Sequence, residues 1–383
     1  MIIGQFCETY PPALDGVGRV MLAYCQTLQS MGHRCLYVAP RDAAHTQTPD
    51  CETLLYPGMP IPGEPYRIGI PALGRDFRRT CGRVRFDLVH AHSPFLGGRA
   101  ARRIASKHNI PLVATFHSKY YDDFYRATHS RRLSLLLLNY VLAFYRSCDE
   151  VWAVNEKTAQ VLREYGYSGA ITIMPNGTNP LSVTQEEYAS ALSRYPLRKG
   201  VPTLIFVGQL DFKKNTHSIL RACALLKDQG LDFQLLMVGA GQDAQRLRSL
   251  SHELGLDGRV IFTGFLGERA VMLSLYQRAD LLVFPSVYDN APMVVREAAA
   301  MGTPALLVEG SCSAEGVTHG GNGFLCQDTV ESIAQGIAAA LPDAAAVGEQ
   351  AKQTIPIPWD RLMKDVLGRY ERLIDMKRER SHA

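Results

Sequence analysis

The 383 residues lack the pieces from which a disulfide framework, a metal centre or a membrane span is built. Nine cysteines are scattered with no C-x-x-C pair and no cysteine or histidine cluster at metal spacing. That odd, dispersed set fits a reduced cytoplasmic chain better than a secreted scaffold. The most apolar stretch, Leu133 to Phe144, is broken by Ser134 and Asn139 and falls short of the ~20 residues that cross a bilayer. The opening Met1-Ile2-Ile3-Gly4-Gln5-Phe6 lacks the basic leader of a signal peptide. A formal net charge of +4 is too small to indicate nucleic acid. There is no short repeat, no low-complexity tract and no Asp-x-Asp pair near an expected strand end, so neither a metal nor another cofactor is expected. The expectation is a cytoplasmic globular protein, at most peripheral at the inner face of a membrane.

What is present is a rhythm of short apolar strand, turn and amphipathic helix. Strands are expected at Ile2–Phe6, Cys35–Ala39, Leu88–Ala91, Leu112–Phe116, Val151–Val154 and Ile171–Met174. Helical spacing fills the intervals Gly18–Met31, Leu96–His108, Leu133–Arg146 and Glu156–Tyr165. The rhythm restarts with strands at Thr203–Val207, Gln234–Val238, Val260–Thr263, Leu281–Phe284 and Ala305–Val308. Apolar strands alternating with helices predict parallel sheets covered on both faces, and the length suits two domains. The boundaries expected are 1–180 and 201–345, with a linker at Leu181–Gly200 and a final helix from Trp359 returning to the first domain. The fold class is therefore α/β: two doubly wound Rossmann-like domains facing a cleft.

Charge is unevenly distributed. Residues 1–180 hold 20 Lys/Arg against 14 Asp/Glu, concentrated around Arg75–Arg85, Arg99–Lys107 and Arg126–Arg132. Such a half suits an anionic membrane or acceptor, and equally a set of solvated helix faces.

The strongest chemical signal is Phe284-Pro285-Ser286-Val287-Tyr288-Asp289-Asn290-Ala291-Pro292-Met293-Val294-Val295-Arg296-Glu297. A strand ends, a polar loop follows, and a helix begins near Pro292, a residue suited to the first helical turn. Free amides at that helix start suit a diphosphate. Glu297, in the second turn, is in reach of paired ribose hydroxyls. Read alone, Asp289 is also a turn former and Glu297 a surface charge.

This run, followed by Ala-Met-Gly-Thr-Pro, resembles the acid-x7-acid signature of the GT-B retaining glycosyltransferases of the glycosyltransferase-4 type. The likeness extends along nearly the whole chain. Glu8 to Gly18 resembles the family's Gly-rich first loop, where Gly16 and Gly18 let the backbone approach donor phosphate or acceptor. Val207-Gly208-Gln209-Leu210 with Lys213 and Lys214 resembles its phosphate loop, Gln209 standing where arginine is usual. Gly239 and the pair Phe265-Leu266 match the next strand ends, the latter usually contacting the base. The resemblance implies that Lys214 and the amides around Asn290, Ala291, Met293 and Val294 meet the diphosphate. It assigns Glu297 to ribose, Asp289 (usually glutamate) to the sugar, and His117 to the reacting face.

His-Ala-His-Ser-Pro-Phe, containing His92, and the tyrosine-rich segment with Tyr120 and Tyr121 are similar to bacterial diacylglycerol glucosyltransferases. That implies a lipid acceptor at His92, Tyr120 and Tyr121, and a donor such as UDP-glucose; a soluble or polymeric glycan is the alternative. His90 reads as a satisfied core residue. A sugar-nucleotide epimerase and a non-catalytic relative are the rival readings on this architecture. A dinucleotide dehydrogenase is disfavoured because the third spaced glycine is missing after Gly16 and Gly18.

Overall fold

The computed structural model describes residues 1–9, 16–41, 50–60 and 67–382. The chain divides into one unit of Met1–Gly177 with Trp359–Ala383 and another of Thr178–Pro358.

In the first unit a seven-stranded parallel sheet runs in the order Glu52–Tyr56, Arg34–Pro40, Ile2–Phe6, Leu88–Ala91, Leu112–Phe116, Glu150–Ala153, Ile171–Ile173. Its central strands are buried along their length, as apolar runs covered on both faces must be. The order reverses between Ile2–Phe6 and Leu88–Ala91, so the loops leaving those strands diverge and open a crevice at their carboxyl ends.

The final helix, Trp359–His382, is held here by a stripe of Trp359, Leu362, Met363, Val366, Tyr370 and Ile374. Tyr370 stacks on Trp152 at 5.6 Å between ring centroids, and Trp359 meets Tyr24 edge-on. Gly177 lies under Trp359, where a Cβ would stand 2.4 Å from the indole. Arg369 and Lys377 add ion pairs to Glu150 and Asp149.

The second unit carries a six-stranded parallel sheet in the order Val260–Gly264, Gln234–Val238, Thr203–Val207, Leu281–Phe284, Ala305–Val308, Phe324–Cys326. Its reversal falls between Thr203–Val207 and Leu281–Phe284. The strand ends are pressed together. A Cβ on Gly239, which has φ +135°, would sit 1.9 Å from the carbonyl oxygen of Gly208, so only glycine fits.

Two expectations are corrected. Leu181–Gly200 is no bare linker: it contains the helix Gln185–Ser193, and the second unit already begins at Thr178. A reciprocal capping box between Thr184 and Glu187 starts that helix, and Leu181, Val183, Leu192 and Tyr195 pack on the second core. The tyrosine-rich segment forms the helix Tyr120–Thr128. The strands Glu52–Tyr56 and Phe324–Cys326 went unread because their short, mixed segments take their register from a neighbouring strand.

Candidate active site

In the second unit, the phosphate-loop segment leaves Val207 through Gly208 and an exposed Gln209, then makes a tight turn at Phe212–Lys214. Asn215, with φ +60°, ends the turn and opens the helix Thr216–Asp228. Its side chain donates to the Pro285 carbonyl at 3.3 Å and to Asp328 at 2.6 Å, which ties this loop to the end of the adjacent strand.

That tie brings Lys214 to Asp289, 75 residues on. The Lys214 ammonium donates to Asp289 Oδ1, while Ser286 donates to Oδ2 at 2.6 Å. Ser313 anchors the backbone carbonyl of Asp289 at 3.1 Å. Lys213 pairs with Asp211 at 3.4 Å. The two lysine ammonium groups lie 5.0 and 5.2 Å from the Tyr288 ring centroid, within cation–π range.

The helix Met293–Ala300 follows, with Pro292 as the residue before its first turn. Pro292 lacks an N–H, so the amides at the helix start belong to Met293 and Val294. Asn290 is buried just ahead of them, and Ala291 is half-buried. Glu297 is buried and receives Arg269 at 2.8 Å, with the Tyr276 hydroxyl at 3.5 Å from its other oxygen. Phe265 is 69% exposed after Gly264, and Leu266 turns back onto the core.

The second unit thus gathers Gln209, Lys213, Lys214, Gly239, Asp289, Asn290, Met293, Val294 and Glu297 around the carboxyl ends of neighbouring strands. Sequence reasoning missed Ser286, Ser313 and Arg269 as the partners that orient the two acids. Ser286 lay inside the motif and was legible as a local donor to Asp289. Arg269 and Ser313 are brought in by tertiary structure alone.

In the first unit, His92 and His117 stand just beyond the ends of adjacent strands. Their rings are stacked at 5.3 Å, with Nδ1 of His92 3.1 Å from Nε2 of His117. His90 is the satisfied core residue expected, bonded to Tyr370 and Thr115 at 2.6 and 2.7 Å. Burial holds all three imidazoles below their usual range, His117 down to about 3; they are neutral near pH 7.

Glu8 was not singled out. Its Oε1 accepts from the Gly97 amide at 2.6 Å and from Ser93 at 3.4 Å, at the start of the helix Leu96–His108. Desolvation outweighs those bonds and raises its carboxyl to about 7. A side chain on Gly97 would collide with the Tyr56 hydroxyl, and one on Gly98 with the Ser93 carbonyl.

The other first-unit expectations divide. Gly16 is exposed and Gly18 buried in the first turn of the helix Gly16–Ser30, while residues 10–15 of the expected Gly-rich loop lie outside the described residues. Tyr120 is a correction: it is packed in the core against Phe95 and Phe116, because the helix turns it inward. Tyr121 stays half-buried, stacked with Tyr125. Among the described residues no three His, Cys, Asp or Glu groups gather at metal-binding distance.

Two family models account for most of the chain: Glycosyltransferase Family 4 over residues 14–180 and Glycosyl transferases group 1 over residues 191–355. The chain belongs to the GT-B glycosyltransferases of family 4. It is 22% identical to the alpha-monoglucosyldiacylglycerol synthase of Streptococcus pneumoniae over 80% of this chain and 70% of that one. It is 28% identical to the glycogen synthase of Mycobacterium tuberculosis over 70% of this chain and 63% of that one. In fold the glycosyltransferase resembles Anabaena HepE, solved with UDP and glucose, at a TM-score of 0.77 and 17% identity, covering 97% and 99% of the two chains. It draws its sugar from a nucleotide-sugar donor.

Proposed function

We propose that this glycosyltransferase moves a hexose from UDP-glucose, or a donor close to it, onto diacylglycerol at an anionic membrane surface, with retention of anomeric configuration. The observation carrying the donor half is the Lys214–Asp289 pair beside the helix start at Met293, with Glu297 one turn on. A diphosphate arriving there competes for the Lys214 ammonium, supplemented by Lys213 and the Met293 and Val294 amides. Asp289, released from Lys214, accepts from sugar hydroxyls, and Glu297, steadied by Arg269, accepts from ribose. These cations and amides carry the diphosphate charge without a metal. The acceptor hydroxyl attacks the anomeric carbon on the face the diphosphate leaves; the carbon–phosphate-oxygen bond breaks, and the acceptor's proton passes to the departing oxygen. His117, neutral, lines the reacting sugar. Gly16, Gly18, Phe265 and Leu266 would flank the donor, and His92 and Tyr121 the acceptor.

Support for the lipid comes from the pneumococcal relative, whose name specifies a diacylglycerol product, and from the surface of the first unit. Leu73 is 68% exposed beside Arg75, Arg78 and Arg79, and Leu136 is 66% exposed on the helix Arg131–Tyr145 that begins with two arginines. Exposed apolar side chains in arginine-rich segments suit an interface with anionic lipid. No helix among the described residues is long and apolar enough to cross a membrane. All nine cysteines are free, which suits the cytoplasmic side. The mycobacterial relative's name favours a second reading, a glycan acceptor.

The test is nucleoside diphosphate release across UDP- and GDP-sugars, with anionic vesicles carrying diacylglycerol or with soluble glycans, for wild type and Glu297→Ala. Release needing one donor and the lipid, and falling roughly tenfold or more in the variant at limiting donor, is expected. Release driven by glycans alone overturns the lipid; donor conversion without release would indicate an epimerase, and no release or nucleotide binding a non-catalytic protein.

A further inference from the structure

Three thiols that are far apart in the chain meet in the first unit, beneath the helix Gly16–Ser30. Cys25 lies on the buried face of that helix and Cys35 on the strand Arg34–Pro40, both fully buried. Their sulfurs are 3.5 Å apart, with Cys35 donating to Cys25. Gln29, one turn along the helix, donates to the Cys35 carbonyl at 3.3 Å and keeps helix and strand in that register. Leu36 pairs with Glu52 in the parallel ladder, so Cys51, one residue earlier, falls beside Cys35. Arg34 clamps Glu52 across the same two strands, through Nε at 2.8 Å and Nη2 at 2.6 Å. Cys25 in turn hydrogen-bonds to the Cys51 sulfur, and Cys51 alone of the three is half-buried.

A buried cysteine is ordinarily a small apolar side chain. Cys223, enclosed in the second core, is one, and burial pushes its thiol up to about 12. The cluster differs because its hydrogen bonds have a direction. They run from Cys35 to Cys25 and from Cys25 to Cys51, ending on the one sulfur that reaches the surface. That donation holds the Cys51 thiol below its ordinary range, against partial desolvation and the neighbouring Asp50 carboxylate. Cys148, also half-buried, is the internal contrast: it donates to the Phe144 carbonyl at 3.4 Å, and burial pushes its thiol up. A partly exposed, activated thiol held against a second thiol is the arrangement from which transient disulfides form in a reducing compartment.

We propose that Cys51 and Cys25 form a peroxide-responsive modification site, Cys51 taking the oxidant and Cys25 closing a reversible disulfide onto it. The Cys51 sulfur attacks one peroxide oxygen. The S–O bond forms, the O–O bond breaks, and the departing hydroxide takes the thiol proton as water. Sulfur is oxidised to sulfenic acid and the peroxide is reduced. The Cys25 sulfur then displaces that oxygen: the S–S bond forms, the S–O bond breaks, and the Cys25 proton leaves with the oxygen as a second water. A dithiol reductant restores both thiols by exchange. The bridge fastens the helix Gly16–Ser30 to the strand that starts at Glu52. It stands independently of the donor and acceptor proposed above.

The test is differential alkylation and peptide mapping of the intact folded chain, treated with stoichiometric hydrogen peroxide and quenched over time. A linked peptide pair joining Cys25 to Cys51, lighter by two hydrogens than its parts and released by dithiothreitol, is expected. Free Cys51 should disappear at least roughly tenfold faster than free Cys148. Cys25→Ala is expected to stop Cys51 at the sulfenic acid, which dimedone captures; Cys51→Ala is expected to leave Cys25 reduced over the same interval. Circular dichroism is recorded for each variant, and the wild-type map decides the matter even if a variant unfolds. Equal rates of loss at Cys51 and Cys148 overturn the proposal. So does a wild-type chain that keeps Cys25 reduced while Cys51 remains a sulfenic acid, or one that bridges Cys25 to Cys35 instead. Linkage that forms only in urea, as a product of unfolding, overturns it as well.

Discussion

The two units share a parallel sheet whose strand order reverses between its first and fourth strands in the chain, yet the groups at the two reversals differ in kind. In the second unit they are ionic: Lys214 with Asp289, Lys213 with Asp211, Arg269 with Glu297. In the first they are largely uncharged: stacked imidazoles held below their usual range by burial, and a Glu8 carboxyl raised to about 7, so that it is protonated on the acid side of that value. Ion pairs at strand ends can be exchanged for a charged ligand, because the lysine loses one anion and gains another. Neutral donors and acceptors suit uncharged hydroxyls, since a buried charge there would pay desolvation without a partner. One topology thus presents charged groups at one reversal and largely neutral ones at the other, suited to different ligand chemistries.

The sharpest way to break this contrast is Lys214→Ala. Turnover with any nucleotide sugar should fall roughly 100- to 1,000-fold, as expected for losing a principal stabiliser of the leaving charge; a loss under tenfold would remove Lys214 from that role. Next is Gly239→Ala. The new Cβ would overlap the Gly208 carbonyl at a φ of +135°, and chemical denaturation should show a loss of about 3 kcal/mol or more, carried by the second unit. Glu297→Ala should then raise donor KM by roughly tenfold or more, about 1.5–3 kcal/mol for hydrogen bonds to a charged group. Steady-state kinetics at varied donor checks it.

A smaller effect tests the neutral side. Glu8 keeps its proton to about pH 7 when folded but loses it in the usual carboxylate range when unfolded. The unfolded chain therefore binds fewer protons between these values, and stability falls as pH rises from about 4.5 through 7, by on the order of 2 kcal/mol. Glu8→Gln should abolish that fall when urea midpoints are compared at pH 5 and pH 8. The buried histidines act oppositely: their folded pKa values are depressed, so they cost stability as pH drops below about 6.5. The difference between wild type and variant isolates Glu8. The smallest expected effect is Gly16→Ala, where an added Cβ meets nothing within 4 Å among the described residues. Stability should stay within about 0.5 kcal/mol, so any large loss of activity would mark Gly16 as a ligand contact.

Local pattern made much of this molecule legible. Leu88–Ala91, Leu112–Phe116, Thr203–Val207, Gln234–Val238, Leu281–Phe284 and Ala305–Val308 are strands at their expected bounds, because buried parallel strands must be continuously apolar. The helix Leu96–His108 is also as expected. Less legible were Glu52–Tyr56, Gln185–Ser193 and the inward turn of Tyr120, each of which takes its state from what it packs on. Of the candidate site, the acid pair Asp289 and Glu297 and the loop lysines were readable from spacing, since strand, loop and helix start are local.

The sequence by itself determined the two α/β rhythms and the placement of the acids, lysines and histidines at strand ends, because period and turn chemistry are written within a few residues of each group. Only the tertiary structure decided which of them meet. Lys214 and Asp289 are 75 residues apart and His90 and Tyr370 280 apart; Arg269 reaches Glu297 from a separate helix. Those meetings depend on strand order, on Asn215 binding one loop to its neighbour and on Trp359 seating the final helix. Each is a packing relation between distant segments, for which no local propensity codes.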